Sequence, residues 1–116
     1  MEKIKTLATQ VYSKLGPGFS ESVYHNAMEV LLRKNNINYE TERIVPIVFE
    51  EHTIGNLRAD LIVEKNLIVE LKAVRSLNYS MKTQTEKYIQ LTGIPNALLI
   101  NFTQSEKVTH CEFVEF

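Results

Sequence analysis

Apolar residues recur at intervals of three and four over residues 4–15: Ile4, Leu7, Ala8, Val11, Tyr12 and Leu15. That is the helical period, and it predicts a helix with one buried stripe. Gly16-Pro17-Gly18 ends it, because glycine relieves a helix C-terminus and proline cannot continue the turn. Ser20 is then suited to cap a second helix running to Asn35-Asn36. Its predicted inward stripe is Val23, Ala27, Val30 and Leu31, widened by Tyr24, Met28 and Leu32. Glu21 falls in the first turn, where a carboxylate interacts favourably with the helix N-terminus.

After residue 36 the period shortens. Residues 37–42 and 44–49 read as extended segments, with Pro46 marking an edge strand or a strand start. Glu50-Glu51-His52 reads as a solvated turn. A strand from Thr53 or Ile54 passes Gly55-Asn56, which predict a bulge or bend, and continues into residues 58–72, RADLIVEKNLIVELK. This last stretch predicts a β-hairpin turning near Glu64-Lys65-Asn66. A connection over residues 76–80 leads to a helix over 81–91, stopped by Gly93 with Pro95 behind it. Residues 97–101 form a short apolar run suited to a covered strand, and 108–116 read as the last strand. The chain is therefore expected to be one mixed α/β domain over residues 1–116, a central mixed β-sheet flanked by helices in the order α-α-β-β-β-α-β-β. The strand–helix–strand step across 66–101 predicts a right-handed crossover between parallel strands.

Composition narrows the class. The chain has 116 residues, 44% hydrophobic and 23% charged, with a formal net charge of -1. This suits a single domain with a real core. No basic tail argues for nucleic acid, although a local patch would outweigh the total. Cys111 is the sole cysteine, so no internal disulfide and no zinc-finger spacing exist. There is no signal peptide and no apolar run of about 18 residues, so a cytoplasmic protein without membrane contact is the default. The size is small for an enzyme with a groove, which leaves room for a homodimer or a partner subunit.

The hairpin carries the candidate chemistry. Glu70 and Lys72 are two apart on a strand and share a face, with Leu71 on the other. If Asp60 pairs near Glu70, three charged groups converge at one end of a mostly apolar sheet, at high desolvation cost. A divalent cation between the carboxylates would offset their repulsion, and oxygen ligands suit Mg²⁺ or Mn²⁺. Each residue also has an ordinary reading. Glu70 and Lys72 could sit on a solvated hairpin edge, and Arg58 could be a phosphate contact or a plain salt bridge. Tyr88 could stack a base or support its helix from inside, and Tyr24 reads as core or as support for Glu21. Lys82 and Arg75 flank the site, while Lys14, Arg33, Lys34 and Lys87 suit either a basic rim or solvated surface. His25, His52 and His110 lack a metal spacing, Asn101 suits a turn contact, and Cys111 reads as structural.

Glu21, Asp60, Glu70-x-Lys72 and Gln84-x-x-x-Tyr88, in this order and spacing, resemble the PD-(D/E)xK nuclease superfamily. Gly18-Phe19-Ser20-Glu21-Ser22-Val23-Tyr24 resembles the segment that names its GxxExxY group. Leu15-Gly16-Pro17-Gly18, Arg58-Ala59-Asp60-Leu61, Val69-Glu70-Leu71-Lys72-Ala73 and Leu99-Ile100-Asn101-Phe102 are similar to that group's segments too. The likeness spans residues 4–113. It implies a restriction-endonuclease-like core and metal-dependent hydrolysis of nucleic-acid phosphodiesters, with DNA favoured over RNA. It implies that Asp60, Glu70 and Glu21 hold Mg²⁺ or Mn²⁺, and that Lys72 orients water or stabilises phosphate charge. Gln84 and Tyr88 would belong to a RecB-like QxxxY helix beside the site. Three positions depart from the pattern: Ala59 replaces the usual proline, and Met81 and Tyr12 stand where histidine is frequent. The backbone carbonyl of Leu71 is a further expected ligand. Arg58, Tyr24 and Lys82 are expected to contact substrate or support the site. The alternatives are a catalytically inactive nucleic-acid-binding module and a protein-interaction module on the same fold.

Overall fold

The computed structural model describes residues 1–108 and 110–116. Helix α1 spans Glu2–Leu15 and α2 spans Glu21–Lys34. Strands β1 (Tyr39–Phe49), β2 (His52–Val63) and β3 (Leu67–Lys72) follow, then α3 (Tyr79–Thr92), β4 (Asn96–Asn101) and β5 (Glu112–Glu115). The five strands form one sheet in the order β1-β2-β3-β4-β5. β3 and β4 are parallel, as the strand–helix–strand step predicts, and the other neighbours are antiparallel.

Two cores sandwich the sheet. On one face α1 and α2 bury Leu7, Val11, Tyr24, Met28 and Leu32 against Leu61, Val69, Leu98 and Ile100. On the other, Tyr88 and Ile94 pack with Ala59, Ile62, Ile68 and Ala97. Central strands covered on both faces lose the polar alternation, which is why β3 and β4 read as near-continuous apolar runs. α3 starts earlier than expected because Asn78 caps it, its Oδ1 accepting from the Met81 N–H at 2.9 Å. Gly93, at φ 75°, ends it in the left-handed conformation that glycine adopts without strain.

Several expectations are corrected. The inward face of α2 is Tyr24, His25, Met28 and Leu32, whereas Val23 and Val30 are exposed. Apolar residues cover a wide arc of this helix, and packing selects the part that meets the sheet. Residues 37–49 do not form two segments. β1 runs through Glu42, which takes φ 54° without ending the strand. The register shift in the β1–β2 hairpin leaves Ile54, not Gly55 or Asn56, as the extra residue. The last strand is confined to Glu112–Glu115, and Thr109, inside the expected 108–116, lies outside the described residues.

A swivel in the β1–β2 pair positions the site. Tyr39 and Val63 are opposite one another and pack on the α1–α2 side. Val45 and Leu57 are also opposite one another, yet they pack on the α3 side. All four positions are odd-numbered, so strict alternation would place them on one face. The pairing register is unchanged between them, but Glu42 and Asp60 are missing from the paired positions. Both strands therefore change face at Glu42 and Asp60.

Candidate active site

β2 and β3 pair at three positions only: Val63 with Leu67, Ile62 with Ile68 and Leu61 with Val69. The next pair in this register would be Asp60 with Glu70. There the side chains take over from the ladder. The Asp60 N–H donates to Glu70 Oε1 at 3.0 Å, and the Leu71 N–H donates to Asp60 Oδ2 at 2.8 Å. Two carboxylates thus sit where the strands part, each with one oxygen committed to a backbone amide. Asp60 lies at the swivel, so strand alternation does not set its side of the sheet; the two amide bonds bring its carboxylate and that of Glu70 together across the gap. Glu70 is only 6% exposed.

The same opening turns a carbonyl inward. The N–H and C=O of one strand residue point toward the same neighbouring strand. The Leu71 N–H faces Asp60 on β2, so the Leu71 carbonyl faces that gap too. Its neighbour alternates, since the Lys72 carbonyl accepts from the Phe102 N–H on the β4 side at 2.8 Å.

Charge ties four side chains together. Burial, then Asp60, pushes the Glu70 carboxyl from its ordinary 4.5 up to about 8, against the Asp60 amide and Lys72. Asp60 is also raised, chiefly by burial, with the Leu71 amide, His25 and Lys72 opposing. Glu21 is raised by desolvation of its carboxyl end and then by Asp60, again with Lys72 and His25 opposing. Each of the three carboxyls therefore feels Lys72. Lys72 itself is half-buried and forms no direct ion pair among the described residues. No three His, Cys, Asp or Glu side chains among the described residues are close enough to hold one ion together. Glu21 is coupled to the pair by charge: Asp60 raises the Glu21 carboxyl, and Glu21 in turn raises that of Glu70. The donor set of two carboxylates and a carbonyl, all hard oxygens, fits a hard divalent cation.

The surrounding elements hold these groups in place. Gly18 has φ 110°, a conformation for glycine, and its N–H donates to Gln104 Oε1 at 2.7 Å. The Tyr24 hydroxyl donates to the Gly16 carbonyl at 2.7 Å and accepts from the Phe19 N–H and Gln104 Nε2. Its ring is fully buried and stacked on Phe102 at 4.6 Å. Tyr24 therefore has no face for substrate; it anchors the loop that delivers Glu21. After Lys72, Asn101 accepts from the Val74 N–H and donates to the Val74 carbonyl and to Glu112, which pins the chain leaving β3.

The remaining candidates divide. Tyr88 is buried, and its hydroxyl donates to the Arg58 carbonyl at 2.7 Å. Burial, then Glu70 and Asp60, raises its pKa, so it backs the carboxylate pair and offers no ring for stacking. Gln84 is exposed on α3, makes no hydrogen bond among the described residues, and lines a groove with Ile47, Leu57 and Lys87. Arg58 and Lys82 are exposed and in no ion pair among the described residues. Sequence reasoning treated His25 as ordinary. It is buried, with Nε2 2.9 Å from Thr41 Oγ1 and 3.1 Å from Glu29 Oε2, and it borders a pocket of about 430 Å³ that includes Glu21, Glu42 and Asp60. Gln104 was missed because nothing local links it to Gly18, 86 residues away.

A mixed five-stranded sheet flanked by helices, parted around an acidic pair, is a restriction-endonuclease-like fold. The family model described as the PD-(D/E)XK nuclease superfamily matches residues 1–112, and the chain belongs to that superfamily. Membership points to the broad class of metal-dependent nucleases. The crystal structure of SSO0001 is similar at 25% identity and a TM-score of 0.61, over 81% of this chain and 48% of that one. The chain thus spans about half the length of that protein. No curated protein matches the chain. No helix among the described residues is long and apolar enough to cross a membrane.

Proposed function

We propose that this protein is a Mg²⁺- or Mn²⁺-dependent nuclease that hydrolyses nucleic-acid phosphodiester bonds, with DNA the favoured substrate. In this reading Asp60, Glu70 and the Leu71 carbonyl hold the ion. A bound divalent ion supplies a lowered water pKa and Lewis acidity toward a phosphoryl oxygen. Glu21 adds negative charge at the rim of the gap and accepts a hydrogen bond from water there. Lys72, beside the carboxylates, orients the attacking water or stabilises charge developing on phosphate. Tyr88 holds Arg58 and the β2 backbone in register beside Asp60. The GxxExxY assignment is supported by the joint roles of Gly18, Glu21 and Tyr24 in one turn and helix start. The RecB-like QxxxY assignment is supported by Tyr88 behind the carboxylates, with Gln84 one turn away on the same helix.

The observation that carries the proposal is the end of the β2–β3 ladder at Asp60 and Glu70, where a half-buried and a buried carboxylate replace backbone pairing beside Lys72. The test is cleavage of labelled single-stranded, double-stranded and branched DNA, and of RNA, with Mg²⁺ or Mn²⁺. Asp60→Asn, Glu70→Gln and Lys72→Ala are each expected to lower the rate by about 100-fold or more, the scale of losing one preorganised charge or ligand. Wild-type protein silent on every substrate with both ions, or variants cutting at the wild-type rate, would refute it.

A further inference from the structure

We propose that the groove between α3 and the β1–β2 hairpin is a track for single-stranded nucleic acid next to the cleaved bond, with Tyr79 stacking on a base. This rests on the nuclease reading and adds the form of substrate and the direction in which it leaves the site. The groove has a volume of about 760 Å³. Ile47 and Leu57 give it an apolar floor, and Tyr79, Thr83, Gln84 and Lys87 line its α3 side. A nucleobase, with an apolar face and hydrogen-bonding edges, matches that mixture. Tyr79, the first residue of α3, is 83% exposed, more than any other large hydrophobic residue of the described chain. It makes no aromatic contact and no hydrogen bond among the described residues. A ring left in water at the mouth of a groove is a stacking platform. In a duplex the base faces are already covered by their neighbours, so an exposed ring favours a single strand.

Charge selects this side of the sheet. Beyond Glu21 and Asp60, whose charge the proposed ion would offset, the pocket on the α2 side of Asp60 also includes Glu42, and Glu29 already paired with Arg33, so a strand leaving that way meets added negative charge. The α3 groove includes Lys87 and no carboxylate. The groove and the site are built on the same stretches of β2 and α3. Leu57 of its floor precedes Arg58, whose carbonyl is bonded by the Tyr88 hydroxyl, and Tyr88 lies one residue past Lys87 and within the fields of Glu70 and Asp60.

The test is fluorescence anisotropy of the uncut complex in EDTA. The probes are a labelled single-stranded DNA of mixed sequence, the same strand as a blunt duplex, and the matching single-stranded RNA. Tyr79→Ala is expected to weaken single-strand binding about tenfold, the scale of one base–aromatic stack, and to leave duplex binding unchanged. Tyr79→Phe should bind like wild type, and 2-aminopurine in the strand should lose less fluorescence on binding Tyr79→Ala than on binding wild type. Lys87→Glu should weaken binding and flatten its salt dependence. The proposal is overturned if Tyr79→Ala binds single strands as wild type does, or loses single-strand and duplex binding alike. It is equally overturned if sedimentation shows that Tyr79→Ala breaks a dimer without touching nucleic-acid affinity. Normal cleavage with Tyr79-independent binding would sink the track alone. Absent cleavage with Tyr79-dependent binding would sink the nuclease reading and leave the track.

Discussion

Asp60 and Glu70 each divide their oxygens between the sheet and the gap. One oxygen of each accepts a strand amide, and the other takes no hydrogen bond among the described residues. This division determines which substitutions separate chemistry from folding. Asp60→Ala leaves the Leu71 N–H without its acceptor in a half-buried position, at a cost of about 1–3 kcal/mol. Asp60→Asn keeps an acceptor oxygen and removes the charge. In urea unfolding without metal, the alanine variant is therefore expected to be less stable than the asparagine variant by that amount, while both lose metal-dependent activity. Equal stability of the two would show that the Leu71 amide does not depend on Asp60.

The turn before α2 and the segment after β3 are held by tertiary contacts. Removing the Tyr24 hydroxyl in Tyr24→Phe frees the Gly16 carbonyl and is expected to cost about 1 kcal/mol. Tyr24→Ala also removes a fully buried ring stacked on Phe102 and is expected to cost about 3–5 kcal/mol. Asn101→Leu strands both polar groups of Val74 and is expected to cost about 3 kcal/mol. Thermal or urea unfolding of the three variants gives the order, and Tyr24→Phe falling as far as Tyr24→Ala would contradict it. What could be read from the sequence follows from the same distinction. The α1 stripe, the Glu64–Asn66 turn, the Gly93 cap and the β4 run are local signals and match the structure. The turn also sets the register that carries Asp60 toward Glu70, but the ladder stops one pair short and side chain–amide bonds stand in its place. The inward face of α2, the swivel at Glu42 and Asp60, and the grip of Gln104 and Asn101 depend on distant partners, and nothing in their neighbours along the chain announces them. Gln84 shows the limit at the site: its spacing from Tyr88 was legible, but its place on the wall of the α3 groove was not.

At the scale of the whole molecule, the acidic gap sets how stability responds to pH. Glu70 titrates near 8 in the folded chain and near 4.5 when unperturbed. Between those values the folded chain holds a proton that the unfolded chain has released, so folding stability falls as pH rises and levels off above about 8. Asp60 and Glu21 shift in the same direction. The metal-free protein is expected to lose Tm from pH 5 to pH 8, and Glu70→Gln to flatten the decline. Saturating Mn²⁺ should raise Tm more at pH 8 than at pH 6, because the ion takes the place of the proton. A metal-free Tm that climbs over this range, or a Glu70→Gln profile parallel to wild type, would contradict the assignment. The short β2–β3 ladder has one more consequence. Because the Asp60 and Leu71 amides hang on carboxylates, their NMR resonances and hydrogen-exchange lifetimes should register whatever those carboxylates hold. Two backbone signals would then serve as a built-in gauge of site occupancy, readable with no substrate in the tube.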